Sequence, residues 1–255
     1  MVASDAHVIR PDRQADAGQV RHEARRLVGD KRLPLAVSAR GVSHRFRAKR
    51  RPFTPYRPSV QALSDFSLSV DHGQIAAITG ANGAGKTTLL EILATLLLPT
   101  SGDVSVCGFD ARTRALDVRR HIAFCPAGNV SFWPRLTGAE NLRFFTAMAG
   151  NADADRPERL AAAAADVGVS PELLAREVRT YSDGQAQRLN LARALLRDAD
   201  VWLIDEPTRS LDPEGQAAMW RLIRDRARAR GATVIAATHD LHGVAGVADL
   251  TVELP

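Results

Sequence analysis

Apolar residues fall along this chain in two rhythms. In residues 61–70 they take every second position at Phe66, Leu68 and Val70, the period of a strand with one buried face. Residues 35–46 read as its antiparallel partner, across a long Pro- and Arg-rich loop. Residues 74–79 (Q-I-A-A-I-T), 121–125, 201–208 (V-W-L-I-D-E-P-T), 233–240 (T-V-I-A-A-T-H-D) and 249–254 contain short apolar runs, the composition of more deeply buried strands. Between them lie segments of helical character. Residues 87–98 (T-T-L-L-E-I-L-A-T-L-L-L) contain no Gly or Pro and precede a Pro-Thr-Ser-Gly turn at 99–102. Further helices are predicted at 140–148, 157–167 and 171–177. Another opens at Ser182 and carries Leu189, Leu191, Ala194 and Leu195. The alternation predicts an α/β fold: a mainly parallel sheet with helices on both faces, an N-terminal antiparallel β subdomain, and a helical insertion over about residues 127–196. There is no internal repeat, so residues 34–255 are read as one module behind a tail of residues 1–33.

The run from 80 to 88, Gly80-Ala81-Asn82-Gly83-Ala84-Gly85-Lys86-Thr87-Thr88, matches G-x-x-x-x-G-K-[ST] between a predicted strand and a predicted helix. Three glycines let the backbone fold round a phosphate with its N–H groups turned inward. The helix N-terminus adds partial positive charge. Lys86 is placed to reach the β- and γ-phosphates, and Thr87 to offer its hydroxyl to Mg²⁺. Downstream, the strand at 201–208 ends in Asp205 and Glu206. Behind a phosphate loop, these suit an Asp in the Mg²⁺ shell and a Glu polarising an attacking water. Residues 181–195 (Y-S-D-G-Q-A-Q-R-L-N-L-A-R-A-L) read, taken alone, as an N-capped amphipathic helix, and His239 as a structural histidine after a strand.

In this order, the pieces resemble the ATP-binding subunit of an ABC transporter, with a P-loop NTPase core, over about residues 35–254. Y-S-D-G-Q is similar to the family signature L-S-G-G-Q, with Asp183 in place of the first Gly and with Ser182, Gly184 and Gln185 retained. Residues 209–212 (R-S-L-D) resemble the D-loop, which ends here in Asp212; His239 matches the switch histidine; Phe46 falls where the family stacks an aromatic on adenine. The resemblance implies an ATPase that closes as a dimer, with two ATP held between the P-loop of one copy and the signature of the other. It implies a role for Glu206, His239 and Lys86 in hydrolysis, and an integral-membrane permease as partner. Residues 126–137 (P-A-G-N-V-S-F-W-P-R-L-T) resemble an exporter-type bacterial subgroup, so export is the expected direction. Here the sequence departs from the family: Ala127 stands where a Gln is expected to help bind Mg²⁺, and Asn129 where the subgroup has an acid. Phe132 and Trp133, beside Pro134 and Arg135, have the composition of an anchor for the membrane partner or, alternatively, of local core.

The remaining composition narrows the setting. No apolar run approaches the roughly 18 residues of a membrane span, and the N-terminal residues show no apolar core of a signal peptide, so the expected location is cytoplasmic, at the inner face of the membrane, with the channel in a separate polypeptide. Cys107 and Cys125 form no C-x-x-C, which indicates neither a metal site nor a disulfide framework. Residues 1–60 hold 14 Lys+Arg against 5 Asp+Glu, net +9, so the remainder of this +5 chain is net −4. The tail, residues 1–33, reads as largely disordered or a loose helix. The basic run 45–51 (R-F-R-A-K-R-R) suits solvent, anionic lipid headgroups or nucleic acid, and nothing in the sequence asks for a specific nucleic acid. Two other readings stay open: a soluble ABC ATPase outside transport, such as one in cluster assembly, and a degenerate subunit that binds ATP without hydrolysing it.

Overall fold

The computed structural model describes residues 8–9, 34–46, 59–127, 132–149, 156–209 and 211–255. Its strands, in chain order, are β1 (Val8–Ile9), β2 (Val37–Phe46), β3 (Val60–Val70), β4 (Ile75–Gly80), β5 (Ser101–Val106), β6 (Phe109–Asp110), β7 (Ile122–Cys125), β8 (Val201–Asp205), β9 (Thr233–Ala237) and β10 (Leu250–Leu254). The α-helices are α1 (Lys86–Leu93), α2 (Ala115–His121), α3 (Gly138–Met148), α4 (Pro157–Asp166), α5 (Pro171–Leu174), α6 (Asp183–Leu196), α7 (Pro213–Arg230) and α8 (Leu241–Val244).

One sheet runs β1-β10-β4-β9-β8-β7, parallel throughout except for β1, which pairs antiparallel with β10 through Val8↔Val252. Strands buried on both faces explain the apolar runs: all five residues of β8 and all five of β9 are buried. Side chains alternate between two cores. Ile75, Ala77, Trp202, Ile204, Val234 and Ala236 pack toward the helical insertion and α7. Ala76, Ile78, Val201, Leu203, Ile235 and Ala237 pack toward α1 and the second sheet. That second sheet, β3-β2-β5-β6, is antiparallel.

Four expectations change. The antiparallel subdomain is not wholly N-terminal, since β5 and β6 follow the phosphate-loop helix. Residues 8–9, in the tail read as largely disordered or a loose helix, form β1; the rest of the tail and most of the basic run 45–51 lie outside the described residues. The helix expected at 87–98 stops at Leu93. Thr95 is left-handed (φ 59°), and the N–H groups of Leu96 and Leu97 both turn back to the Glu91 carbonyl. The helix expected at 171–177 ends at Leu174; Glu177 is extended and bridges Thr137.

Candidate functional site

Strand register builds the site. Ile78 pairs with Ala237, and Ala237 with Asp205. Gly80, Glu206 and His239 therefore emerge at one carboxyl edge of the parallel sheet, the usual ligand crevice of such sheets. The chain from Gly80 to Gly85 turns over this edge with φ of 140° at Gly80, 88° at Gly83 and 96° at Gly85. Ala81, Asn82 and Gly83 are exposed, while Ala84, Gly85 and Thr88 are more deeply set beneath them. Lys86 begins α1 and is buried; its Nζ donates to the carbonyls of Gly80 (2.8 Å) and Ala81 (3.1 Å). The ammonium is thus held on the rim the phosphates would occupy.

The Thr87 hydroxyl donates to Asp205 Oδ2 at 2.9 Å, and Asp205 is only 1% exposed. Its Oδ1 is buried without a hydrogen-bond partner among the described residues. Burial pushes the Asp205 carboxyl above the ordinary carboxylate range. The Thr87 hydroxyl opposes that shift, Glu206 reinforces it, and the Ala127 backbone amide and Lys86 oppose it further. A buried carboxylate oxygen without a donor, beside a hydroxyl, suits a hard cation with oxygen ligands, so Thr87 and Asp205 fit Mg²⁺. At Ala127 the side chain is a methyl group, with no lone pair for a metal.

Glu206 follows with φ 48°, unusual for a non-glycine residue and worth about 1–2 kcal/mol of backbone strain. Its N–H donates to the Ala237 carbonyl at 2.9 Å, which pins the kink to β9. The kinked carboxylate lies between two cations or cation formers: Oε2 is 2.7 Å from His239 Nδ1, and Oε1 is 4.0 Å from Lys86 Nζ. Lys86, Thr87, Asp205, Glu206 and His239 are thereby brought into one network.

The other candidate residues make their described contacts elsewhere. Ser182 and Gln185 form a reciprocal capping box at the start of α6: the Ser182 N–H donates to Gln185 Oε1 (2.9 Å), and the Gln185 N–H to Ser182 Oγ (3.3 Å). Ser182 is exposed, and Gly184 and Gln185 half-buried, so this helix start faces outward. Asp212 caps α7, accepting from the Gly215 N–H at 2.8 Å. Phe46 ends β2, partly exposed, edge-on to His44 at 4.6 Å.

Three polar residues escaped the sequence reading. Buried Gln187 donates through Nε2 to the Asp205 carbonyl at 3.4 Å, and fully buried Asn190 donates to the Pro126 carbonyl at 2.7 Å. Together they tie the signature helix to the acid strand and to the loop that holds Ala127. Polar groups on the inward stripe of an otherwise apolar helix were the available signal. Asn141 does the same for residues 133–137: its Oδ1 accepts from the Trp133 N–H (2.8 Å), and its Nδ2 donates to the carbonyls of Trp133, Leu136 and Thr137. This loop splits the pair of aromatics. Phe132 is core, edge-on to Phe145 with the Arg193 guanidinium over its ring, whereas Trp133 is 56% exposed and edge-on to Phe144. Asn129, with residues 128–131 as a whole, lies outside the described residues.

The family model described as ABC transporter matches residues 63–209. The chain belongs to the ABC transporter family. The ABC transporter ATP-binding protein NatA of Bacillus subtilis is 32% identical over 199 residues, covering 78% of this chain and 80% of NatA. A probable anion import ATP-binding protein of Haloferax volcanii is 35% identical over 238 residues, 88% of this chain and 78% of the relative. The macrolide export ATP-binding/permease protein MacB of Burkholderia pseudomallei is 39% identical over 195 residues, which are 74% of this chain and 29% of MacB. Among solved structures, an ATP binding subunit of an ABC transporter superposes with a TM-score of 0.71 at 26% identity, covering 86% of this chain and 85% of that one. A dimeric ATP-binding cassette in a post-hydrolysis state with ADP and Pi gives 0.75 at 24% identity, covering 86% and 94%. This ABC cassette is an α/β P-loop ATPase of the transporter type, as its motifs implied. No helix among its described residues is long and apolar enough to cross a membrane.

Proposed function

We propose that this cassette hydrolyses ATP at the cluster of Lys86, Thr87, Asp205, Glu206 and His239, and so drives export through a separate membrane-spanning permease. The observation that carries the catalytic part is the Glu206 carboxylate, held by backbone geometry between His239 (2.7 Å) and Lys86 (4.0 Å). Glu206 orients the attacking water and takes its proton as the water adds in line to the γ-phosphorus. His239 contacts the γ-phosphate, and Lys86 balances its charge. The residues from Gly80 to Thr88 present backbone N–H groups to the phosphates. Thr87 and Asp205 would hold Mg²⁺, which supplies charge neutralisation to the phosphates when bound. Phe46 stacks on adenine from the exposed end of β2.

Ser182, Gly184 and Gln185, with Asp212, meet the nucleotide held by a second copy, so two ATP close two cassettes into a dimer. The outward-facing start of α6 supports this, because its capping box leaves the signature open to a partner. Export is favoured by the exporter-type segment at 126–137 and by the name of the MacB relative. The permease docks beside exposed Trp133, Phe144 and Met148, which places the cassette at the inner face of the membrane. Residues 34–255 are the ATP-binding domain, with residues 1–33 a basic tail, and no specific nucleic acid is a partner.

Sedimentation of Glu206→Gln with and without ATP tests the assembly. With hydrolysis blocked, ATP shifts the variant from monomer to dimer, and Ser182→Arg added to it abolishes the shift. A monomer that stays unchanged at high protein and ATP concentration contradicts the homodimer.

A further inference from the structure

The opposite edge of the parallel sheet carries a second group of chemically distinctive side chains. Ile122 and Val201 are paired first residues of β7 and β8. His121 and Asp200, which precede them, therefore meet at the amino edge, with His121 Nδ1 2.6 Å from Asp200 Oδ2. Cys107 reaches the same spot from the turn between β5 and β6. The three potential ligand atoms all lie within 4.8 Å of one another. In a tetrahedral site with bonds of about 2.0–2.3 Å, ligand atoms stand roughly 3.3–3.8 Å apart. The His121–Asp200 pair stands closer than that, so a bound ion would replace their hydrogen bond.

Several features hold this arrangement in place. Cys107 and Gly108 occupy consecutive left-handed positions, φ 50° and 79°. This pattern in a two-residue hairpin normally selects Asn-Gly or Asp-Gly, so a cysteine at the first position is an unusual choice. The Cys107 N–H is anchored on the Ala36 carbonyl at 2.9 Å. The His121 ring stacks on Phe109 (5.1 Å, 20°), which fixes the imidazole plane. Asp200 is exposed and the other two half-buried, so an ion can arrive from solvent and keep one water.

We infer that Cys107, His121 and Asp200 form a zinc site with one open coordination position, at the opposite edge of the parallel sheet from the ATP site. Sulfur, imidazole and carboxylate in a three-ligand set suit Zn²⁺ and do not suit the all-oxygen preference of Mg²⁺ or Ca²⁺. The ion would join the antiparallel sheet, the end of α2 and the loop entering β8.

The test uses the full-length chain without a histidine tag, stripped with a chelator and free of nucleotide. Zinc is titrated in competition with a chromogenic indicator, and cobalt(II) is added separately as a spectroscopic probe. One zinc per chain is expected, with a thiolate-to-cobalt charge-transfer band that disappears in Cys107→Ser. Loss of an outer-shell partner alone costs about 10–100-fold in metal affinity, so Cys107→Ser, His121→Gln and Asp200→Asn should each lose at least about tenfold. At the same zinc concentration the Tm of the wild-type chain should rise more than that of Cys107→Ser, which separates ligation from a folding defect. Glu206→Gln should bind zinc like the wild type. Substoichiometric zinc, a cobalt spectrum without the thiolate band, or equal zinc affinity in Cys107→Ser overturns the inference.

Discussion

Two glycines of the phosphate loop offer a comparison in which one variable changes. Gly83 (φ 88°) and Gly85 (φ 96°) are both in conformations that L side chains rarely adopt, so alanine at either costs about 1–2 kcal/mol in backbone energy. Their surroundings differ. A Cβ at Gly83 would meet nothing within 4 Å. A Cβ at Gly85 would lie 2.1 Å from the Ala62 carbonyl oxygen and 3.1 Å from Leu63 Cδ2. Those atoms belong to β3, so the antiparallel sheet presses on the loop just where α1 begins. Forcing a methyl into such a contact adds about 1–3 kcal/mol. Gly85→Ala should therefore destabilise by about 2–5 kcal/mol and Gly83→Ala by about 1–2 kcal/mol. Urea unfolding of nucleotide-free protein, followed by fluorescence of the buried Trp202 and Trp220, measures both. Gly85→Ala should also weaken ATP binding the more, because the loop must move off β3 to make room. Equal destabilisation by the two alanines, or a harmless Gly85→Ala, would refute the claim that β3 braces the loop.

The aromatic pair gives a second contrast: Phe132→Ala should cost about 3–5 kcal/mol of stability, since its ring is core. Trp133→Ala should stay within about 0.5 kcal/mol and leave isolated ATPase activity intact while weakening association with the proposed permease, all readable by denaturation and reconstitution. Asp205→Asn should stabilise the nucleotide-free chain at neutral pH while abolishing most Mg²⁺-dependent hydrolysis. The sign follows from burial. A native carboxyl raised above its ordinary value binds its proton more tightly than in the unfolded chain, so the wild type loses stability as pH rises from about 4 through that raised value. The advantage of Asn over wild type should widen across that window and vanish below it, as unfolding at a series of pH values would show.

The parts of the site that were legible in the sequence are those whose chemistry needs consecutive residues. The glycine spacing before Lys86-Thr87 and the adjacent acids Asp205 and Glu206 are such cases, and the strand register then set them side by side. Apolar runs located β8 and β9 for the same reason, because a strand buried on both faces leaves a continuous signature. Local backbone choices were less visible. The end of α1 depends on a left-handed Thr95 that no propensity announces, and Glu206 adopts its kink because Ala237 pins its N–H. Partners on different elements were hidden altogether: Asn190 on Pro126 and Gln187 on the Asp205 carbonyl make contacts that exist only in the fold. Phe132 and Trp133 are neighbours of similar chemistry, and the contacts that set one in the core and the other outside, with Phe145, Arg193 and Asn141, come from elsewhere in the chain. Sequence spacing likewise gave no hint of Cys107 with His121 and Asp200, because the usual metal motifs cluster their ligands and these residues come from three elements.

The most direct test of the account is steady-state ATP hydrolysis by purified wild-type chain and Glu206→Gln at saturating Mg²⁺ and ATP, with nucleotide affinity measured on the same samples. Turnover should fall by about 10²–10⁴-fold, the usual effect of losing a general base, while ATP affinity stays within a few fold. Wild-type turnover in Glu206→Gln would contradict it.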